Sequence, residues 1–190
     1  MELLKQKILD SAEVLPGGVL KVDSFLNHQI DVMFVSKLAE EWYRLFKDEK
    51  ITKILTIESA GIGLASIAAL LFKVPVVYAK KTRNAALSDE YHCTKVISYT
   101  HGQVYDVFLA KNLINKEDRI LILDDFLANG SAIKILIRLA EAGGAKVVGS
   151  TVAIEKAYLG GGKDIRSLGY RLESLVKIKE IIGKDIIVED

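Results

Sequence analysis

Residues Arg119–Ala132 read RILILDDFLANGSA. A short apolar strand, Arg119–Leu123, runs straight into two adjacent carboxylates, Asp124 and Asp125. A loop with Gly130 and Ser131 follows, and helical spacing of apolar residues begins at about Ser131 and continues to Ala142. Gly143-Gly144 closes that helix as a left-handed cap. A second buried-type strand, Lys146–Ile154, comes next. Strand, tight loop, helix, strand is the repeating unit of a parallel sheet.

The same rhythm extends outward from that stretch. Towards the N-terminus, Lys53–Ile57 is a buried-type strand, followed by the small-residue turn ESAGIG and a helix through Phe72. Pro75–Ala79 (PVVYA) is another strand. Asp31 is placed to cap an amphipathic helix, Val32–Asp48, with Val35, Leu38, Trp42, Leu45 and Phe46 on one stripe. Glu2–Ser11 has helical spacing, Pro16-Gly17-Gly18 breaks it, and Gly18–Phe25 reads as a short strand or loop. Residues 81–100 are polar and irregular before turning strand-like, and Gln103–Ala110 alternates like an edge strand. Residues 159–190 read as a short helix and a terminal strand pair. Apolar strands alternating with helices predict an α/β fold with a mostly parallel central sheet covered on both faces. Ligands of such sheets bind beyond the carboxyl ends of the strands.

Composition narrows the function classes. The chain has 190 residues, half of them apolar, enough for one domain with a substantial core. Its 26 basic and 25 acidic residues leave a net charge of +1, which argues against nucleic acid or an anionic membrane surface as partner. Cys93 is the single cysteine, and with three histidines it makes a dedicated metal cage unexpected. A reducing, cytoplasmic setting fits. The longest apolar stretch, Ile62–Phe72, is far short of the roughly 20 residues that span a bilayer. The N-terminal charges do not follow a signal-peptide layout. The turn G61-I62-G63-L64-A65-S66 lacks the third glycine of a dinucleotide fingerprint. No acid stands about 20 residues on, where the ribose of such a cofactor needs one.

The acid pair and the loop after it carry the chemistry. A helix N-terminus exposes unpaired N–H groups and partial positive charge, which suit a phosphate. Gly130 permits close approach or positive φ, and Ser131 adds a hydroxyl. The two carboxylates would repel a phosphate, so they suit neutral hydroxyls or a developing positive charge. Together they point to a phosphorylated sugar. The Ser59, Ala60 and Gly61 amides could form an anion nest, and Lys81 ends the Pro75–Ala79 region as a cation.

This segment resembles the phosphoribosyl-diphosphate signature of type I phosphoribosyltransferases, through the strand, Asp124, Asp125, Ala128 and Gly130. It departs at two threonine positions, occupied here by Asn129 and Ala132. The resemblance covers nearly the whole chain, 1–190, as one domain. It implies a core of about 31–158 and a hood over the base formed by about 1–30 and 159–190. It is nearest to purine-using bacterial members that act on xanthine. It implies phosphoribosyl diphosphate at Ala128, Asn129, Gly130, Ser131 and Ala132 and at Ser59, Ala60, Gly61 and Lys81. Xanthine is then expected at Leu20, Asn27 and Lys156, and catalysis at Asp124 and Asp125. Magnesium ion is expected through the diphosphate, with no protein metal site, and the chain is expected to be a homodimer. Arg83 would open a mobile flap. Asn27 offers a donor and an acceptor. Lys156 can donate to a purine oxo group but would face the amino group of adenine donor to donor. Guanine or hypoxanthine is the alternative base, and a non-enzymatic purine-responsive regulator the alternative role. Glu155, beside Lys156, is a candidate acceptor for the purine's proton.

Overall fold

A computed structural model describes residues 1–16, 18–82, 90–97 and 104–189, with side chains left aside at 95–97 and 104–105. Helix α1 (Glu2–Ser11) is followed by a small antiparallel pair, β1 (Glu13–Leu15) and β2 (Val19–Lys21). Then come α2 (Val32–Phe46), β3 (Lys53–Ile57), α3 (Ala60–Phe72) and β4 (Val76–Ala79). Strands β5 (Tyr91–Ile97) and β6 (Val104–Ala110) form a hairpin. The chain continues through β7 (Arg119–Leu127), α4 (Ser131–Ala142), β8 (Lys146–Lys156) and α5 (Gly161–Ser167). It ends in β9 (Leu172–Ile182) and β10 (Asp185–Val188).

Among the described residues the main sheet runs β10-β9-β8-β7-β3-β4, all parallel except the β10 edge. Each face buries its own apolar layer. On one, α2, α3 and the N-terminal segment place Val35, Leu38, Trp42, Phe46, Leu64 and Phe25 against Leu121 and Leu123. On the other, α4 and the β6 strand place Ile133, Leu136, Val107 and Leu109 against Ile120, Ile122 and Val152. This is the two-sided cover that the near-continuous apolar strands require. Asp31 caps α2 by accepting from the Phe34 amide at 3.0 Å, and Gly144 takes positive φ after α4.

Three elements differ from expectation. Strand β7 runs on through both acids to Leu127, because Asp124, Phe126 and Leu127 find ladder partners on β8. The acids therefore sit on the strand rather than after it. Residues 104–110 pair only within the β5–β6 hairpin and touch the main sheet through a Lys80–Phe108 bridge, so they are not its edge. Strand β9, in the segment expected as hood, lies parallel to β8 within the main sheet, and α1 packs on it. The turn after β2 reaches the strand ends through Asn27. The flap position Arg83 lies outside the described residues.

Trp42, on the core-facing side of α2, is fully buried. Trp42→Ala is expected to cost about 3–5 kcal/mol, read from the urea midpoint at unchanged slope; a loss within 1 kcal/mol would contradict this placement of the core.

Candidate active site

Three parallel strands end at one cleft of about 240 Å³. Its walls include Glu58, Ser59, Ala60 and Gly61 after β3, Lys81 after β4, and Asp124 and Asp125 on β7. Ala132 on α4 and Asn27 complete it. The N-terminal turn positions Asn27. Phe25 and Leu26 are buried, their amides donate to Val22 O, and the Asp31 amide returns to Phe25 O, leaving Asn27 exposed at the rim. A larger apolar groove of about 410 Å³ runs between β4 and the hairpin, past Val77, Tyr91 and Phe108, and among the described residues has no carboxylate in its walls. The convergent polar groups are in the smaller cleft.

Asp124 is buried, and Asp125 is half-buried beside it. Burial, and then the charge of Asp125, push the Asp124 carboxyl well above the ordinary carboxylate range. The Asp125 amide and the Lys81 ammonium oppose that shift. The Asp125 amide donates to Asp124 Oδ1 at 3.0 Å. Gly61 packs against this acid: a Cβ there would overlap Thr56 Oγ1 and approach Asp124 Oδ1 to 2.9 Å. Only glycine brings the mouth of α3 so close to the carboxylate.

Two helix mouths face this ground. At α3, Ser59, Ala60 and Gly61 precede the first intrahelical acceptor-paired amide, and no acceptor takes their N–H groups among the described residues. At α4, Gly130 adopts φ +79°. Ser131 is oriented differently from expectation: its amide and hydroxyl both donate to Asn129 Oδ1, at 3.1 and 2.8 Å. Asn129 thus organises the turn, and the donors left for an anion are the backbone amides beyond it.

Lys156 ends β8, half-buried, with its Nζ 5.7 Å from the Phe126 ring centroid. Burial holds its ammonium below the ordinary lysine range. No carboxylate bridges it among the described residues. Glu155 turns away and is committed elsewhere. Arg166 donates to both of its oxygens, at 2.9 and 2.8 Å, and Ser174 Oγ donates to one. Burial would raise Glu155, but Arg166, Ser174 and Lys177 outweigh it and hold the carboxyl low. A saturated, ionised carboxylate does not suit the proton-acceptor role that its place beside Lys156 suggested. Leu20 points into the core with 6% exposure, so its side chain is not brought into the cleft. Glu58 opens the ESAGIG turn. The structure makes it a wall of the cleft that accepts from the Lys81 amide, and the peptide bond that follows it, to Ser59, is cis. Nothing local in ESAG announces either feature.

The Phosphoribosyl transferase domain model matches residues 21–183. The chain belongs to the phosphoribosyltransferase family. A xanthine phosphoribosyltransferase of Lachnoclostridium phytofermentans is 48% identical over 185 residues, covering 97% of this chain and 95% of that one. One of Finegoldia magna is 43% identical over the full length of both chains. Among solved structures, an APRTase from Giardia lamblia complexed with 9-deazaadenine superposes with a TM-score of 0.80 at 22% identity, covering 93% and 98%. The adenine phosphoribosyltransferase of Saccharomyces cerevisiae gives 0.74 at 21%, covering 92% and 99%. At that identity the structures establish the type I phosphoribosyltransferase fold, and the chain is a transferase of that family.

The two buried carboxylates bear oppositely on stability. Glu155, held low, stabilises the folded chain above the unfolded carboxylate pKa, and that contribution is lost as pH falls through its depressed value. Asp124, held high, costs stability that grows as pH rises from the unfolded carboxylate pKa and is fully present above its elevated value. Asp124→Asn is therefore expected to raise the Tm of the ligand-free phosphoribosyltransferase by about 2–4 °C at neutral pH. The gap should close below about pH 4, where the wild-type carboxyl is protonated in both states. A lower Tm at neutral pH would contradict the burial of an acid retained at the expense of stability.

Proposed function

We propose that this phosphoribosyltransferase moves the 5-phosphoribosyl group from phosphoribosyl diphosphate to a ring nitrogen of xanthine, giving xanthosine 5′-monophosphate and diphosphate. The observation that carries this reading is the single cleft holding the acid pair, the α3 amides, Lys81, the start of α4 and Asn27. The relatives named for xanthine support the choice of base.

Each group has a task that its chemistry suits. The amides after Gly130 receive the 5-phosphate at the mouth of α4. Asp124 and Asp125 accept from the ribose hydroxyls and favour the positive charge that develops on the ring as the bond from the anomeric carbon to the diphosphate oxygen breaks. The Ser59, Ala60 and Gly61 amides and Lys81 stabilise the departing diphosphate. The electron pair of the purine nitrogen forms the new bond, and its proton leaves to solvent. No protein nucleophile is required, and catalysis is positioning with electrostatics. Magnesium bound with the diphosphate would neutralise part of its charge. The donor's own diphosphate and sugar oxygens are its expected partners, with most of its waters retained.

Asn27 and Lys156 read the base. A half-desolvated ammonium without a carboxylate gains most from an oxo acceptor and is mismatched to an amino group. The fold neighbours named for adenine do not bear on this choice. Leu20 supports the turn that carries Asn27 from within the core. Guanine and hypoxanthine share the 6-oxo group and are the competing acceptors. A second copy of the chain is the expected partner; Ile182 and Ile187, exposed near the β10 edge, offer apolar surface for it. The lone Cys93 fits action in a reducing cytoplasm. No helix among the described residues is long and apolar enough to cross a membrane.

In a panel of xanthine, guanine, hypoxanthine and adenine with phosphoribosyl diphosphate, diphosphate release is expected to be fastest with xanthine. Lys156→Met should lower kcat/KM for xanthine by about 10–100-fold, the worth of one charged hydrogen bond. Preference for adenine, or unchanged xanthine turnover in the variant, overturns the base assignment. The wild-type rate should also fall on the alkaline side as the depressed lysine loses its proton, and that limb should be absent in Lys156→Met.

A further inference from the structure

Behind the loop 128–132 lies a second glycine run, Gly160-Gly161-Gly162, which opens α5. The Gly161 amide donates to Ala128 O at 3.2 Å. A Cβ at Gly161 would overlap the backbone of Ala128, Asn129 and Gly130, and one at Gly130 would stand 3.1 Å from Gly161 O. The Ile165 side chain, wholly buried, closes on Gly130 from the next turn of α5. Two backbones therefore meet with no side chain between them, and neither shifts unless the other yields.

Helix α5 is tied in turn to the strand end that carries Lys156. Arg166 grips Glu155 through both oxygens, a fork that fixes orientation as well as distance. A Cβ at Gly162 would overlap that carboxylate, so glycine here lets the pair lie against the helix start. Lys134 on α4 reaches Asp164 on α5 at 3.0 Å. Glu155 and Lys156 are consecutive on β8 and project to opposite faces. One short helix thus touches the loop 128–130, the flank of α4 and the end of β8.

We propose that Gly161 is a positioning residue for the seat of the sugar's 5-phosphate, and that the Glu155–Arg166 pair, acting through α5, locks that seat to the strand end presenting Lys156. Donor and acceptor sites are then held in register by a contact that neither substrate touches. This rests on the assignment of residues 128–132 to the 5-phosphate. An alanine at Gly161 must push the loop by about 1 Å, a displacement of the size that costs on the order of 10²-fold when it misplaces a reacting group.

The test is calorimetric binding of ribose 5-phosphate and, separately, of inorganic diphosphate to the full-length wild type, Gly161→Ala and Arg166→Lys. The wild type should bind both. Gly161→Ala should weaken ribose 5-phosphate by about 10–100-fold with diphosphate unchanged, because the α3 amides are untouched. In turnover the KM for phosphoribosyl diphosphate should rise, whereas loss of folded protein alone would lower kcat at constant KM. Arg166→Lys, which keeps the charge and loses the fork, should fall between, and carries the comparison if Gly161→Ala does not fold. A wild type that binds diphosphate but not ribose 5-phosphate overturns the loop assignment itself. A wild type that binds both, with variants that bind both equally well or lose both together, overturns the positioning role alone.

Discussion

A carboxylate kept out of water is the constraint around which this site is built. Asp124 lies buried on β7 with a second acid next to it, an arrangement that works against the folded state whenever Asp124 is charged. Folding alone would favour an apolar residue at that point, as it does at the preceding Leu121, Ile122 and Leu123. What balances the acids lies across the cleft: two helix mouths with unpaired amides, and Lys81. The cleft therefore sets negative potential beside positive. A sugar with hydroxyls on one side and phosphates on the others answers both.

The parallel sheet makes this juxtaposition possible. In a parallel sheet, carboxyl ends of neighbouring strands and the amino ends of the helices that follow them collect on one side. Here β3 and β7 are adjacent, so their helices α3 and α4 open onto the same ground. Close approach then depends on missing side chains. Gly61 lets α3 press on Asp124, and Gly130 and Gly161 let two loops meet backbone to backbone. The opposite treatment of Glu155 shows what a structural acid looks like in the same sheet: equally out of solvent, but forked by arginine, capped by serine and held low in pKa.

Much of this was legible in the sequence, for identifiable reasons. RILIL, KILTI and Lys146–Ile154 are apolar runs bounded by glycine or charge, so strand order along the chain could be read from period and punctuation. The acid pair stood out because two carboxylates after an apolar strand have no folding rationale. What escaped depends on contacts distant in sequence. The extension of β7 through its acids is set by ladder partners on β8, and the inclusion of β9 in the main sheet by pairing with β8 rather than by its own pattern. The fork from Arg166 to Glu155 crosses a turn whose direction no local rule specifies. Leu20, expected at the base, has its side chain buried in the core, and only a contact distant in sequence places it there. The capture of Ser131 by Asn129 was readable in principle, since an asparagine two residues before a helix start is a turn-forming signal.

A crystal structure of this phosphoribosyltransferase with ribose 5-phosphate is the most direct measurement of the central claim. The phosphate is expected on the backbone amides that follow Gly130, with the ribose hydroxyls on Asp124 and Asp125. A phosphate seated away from the mouth of α4, or a pentose that leaves both aspartates untouched, would contradict it.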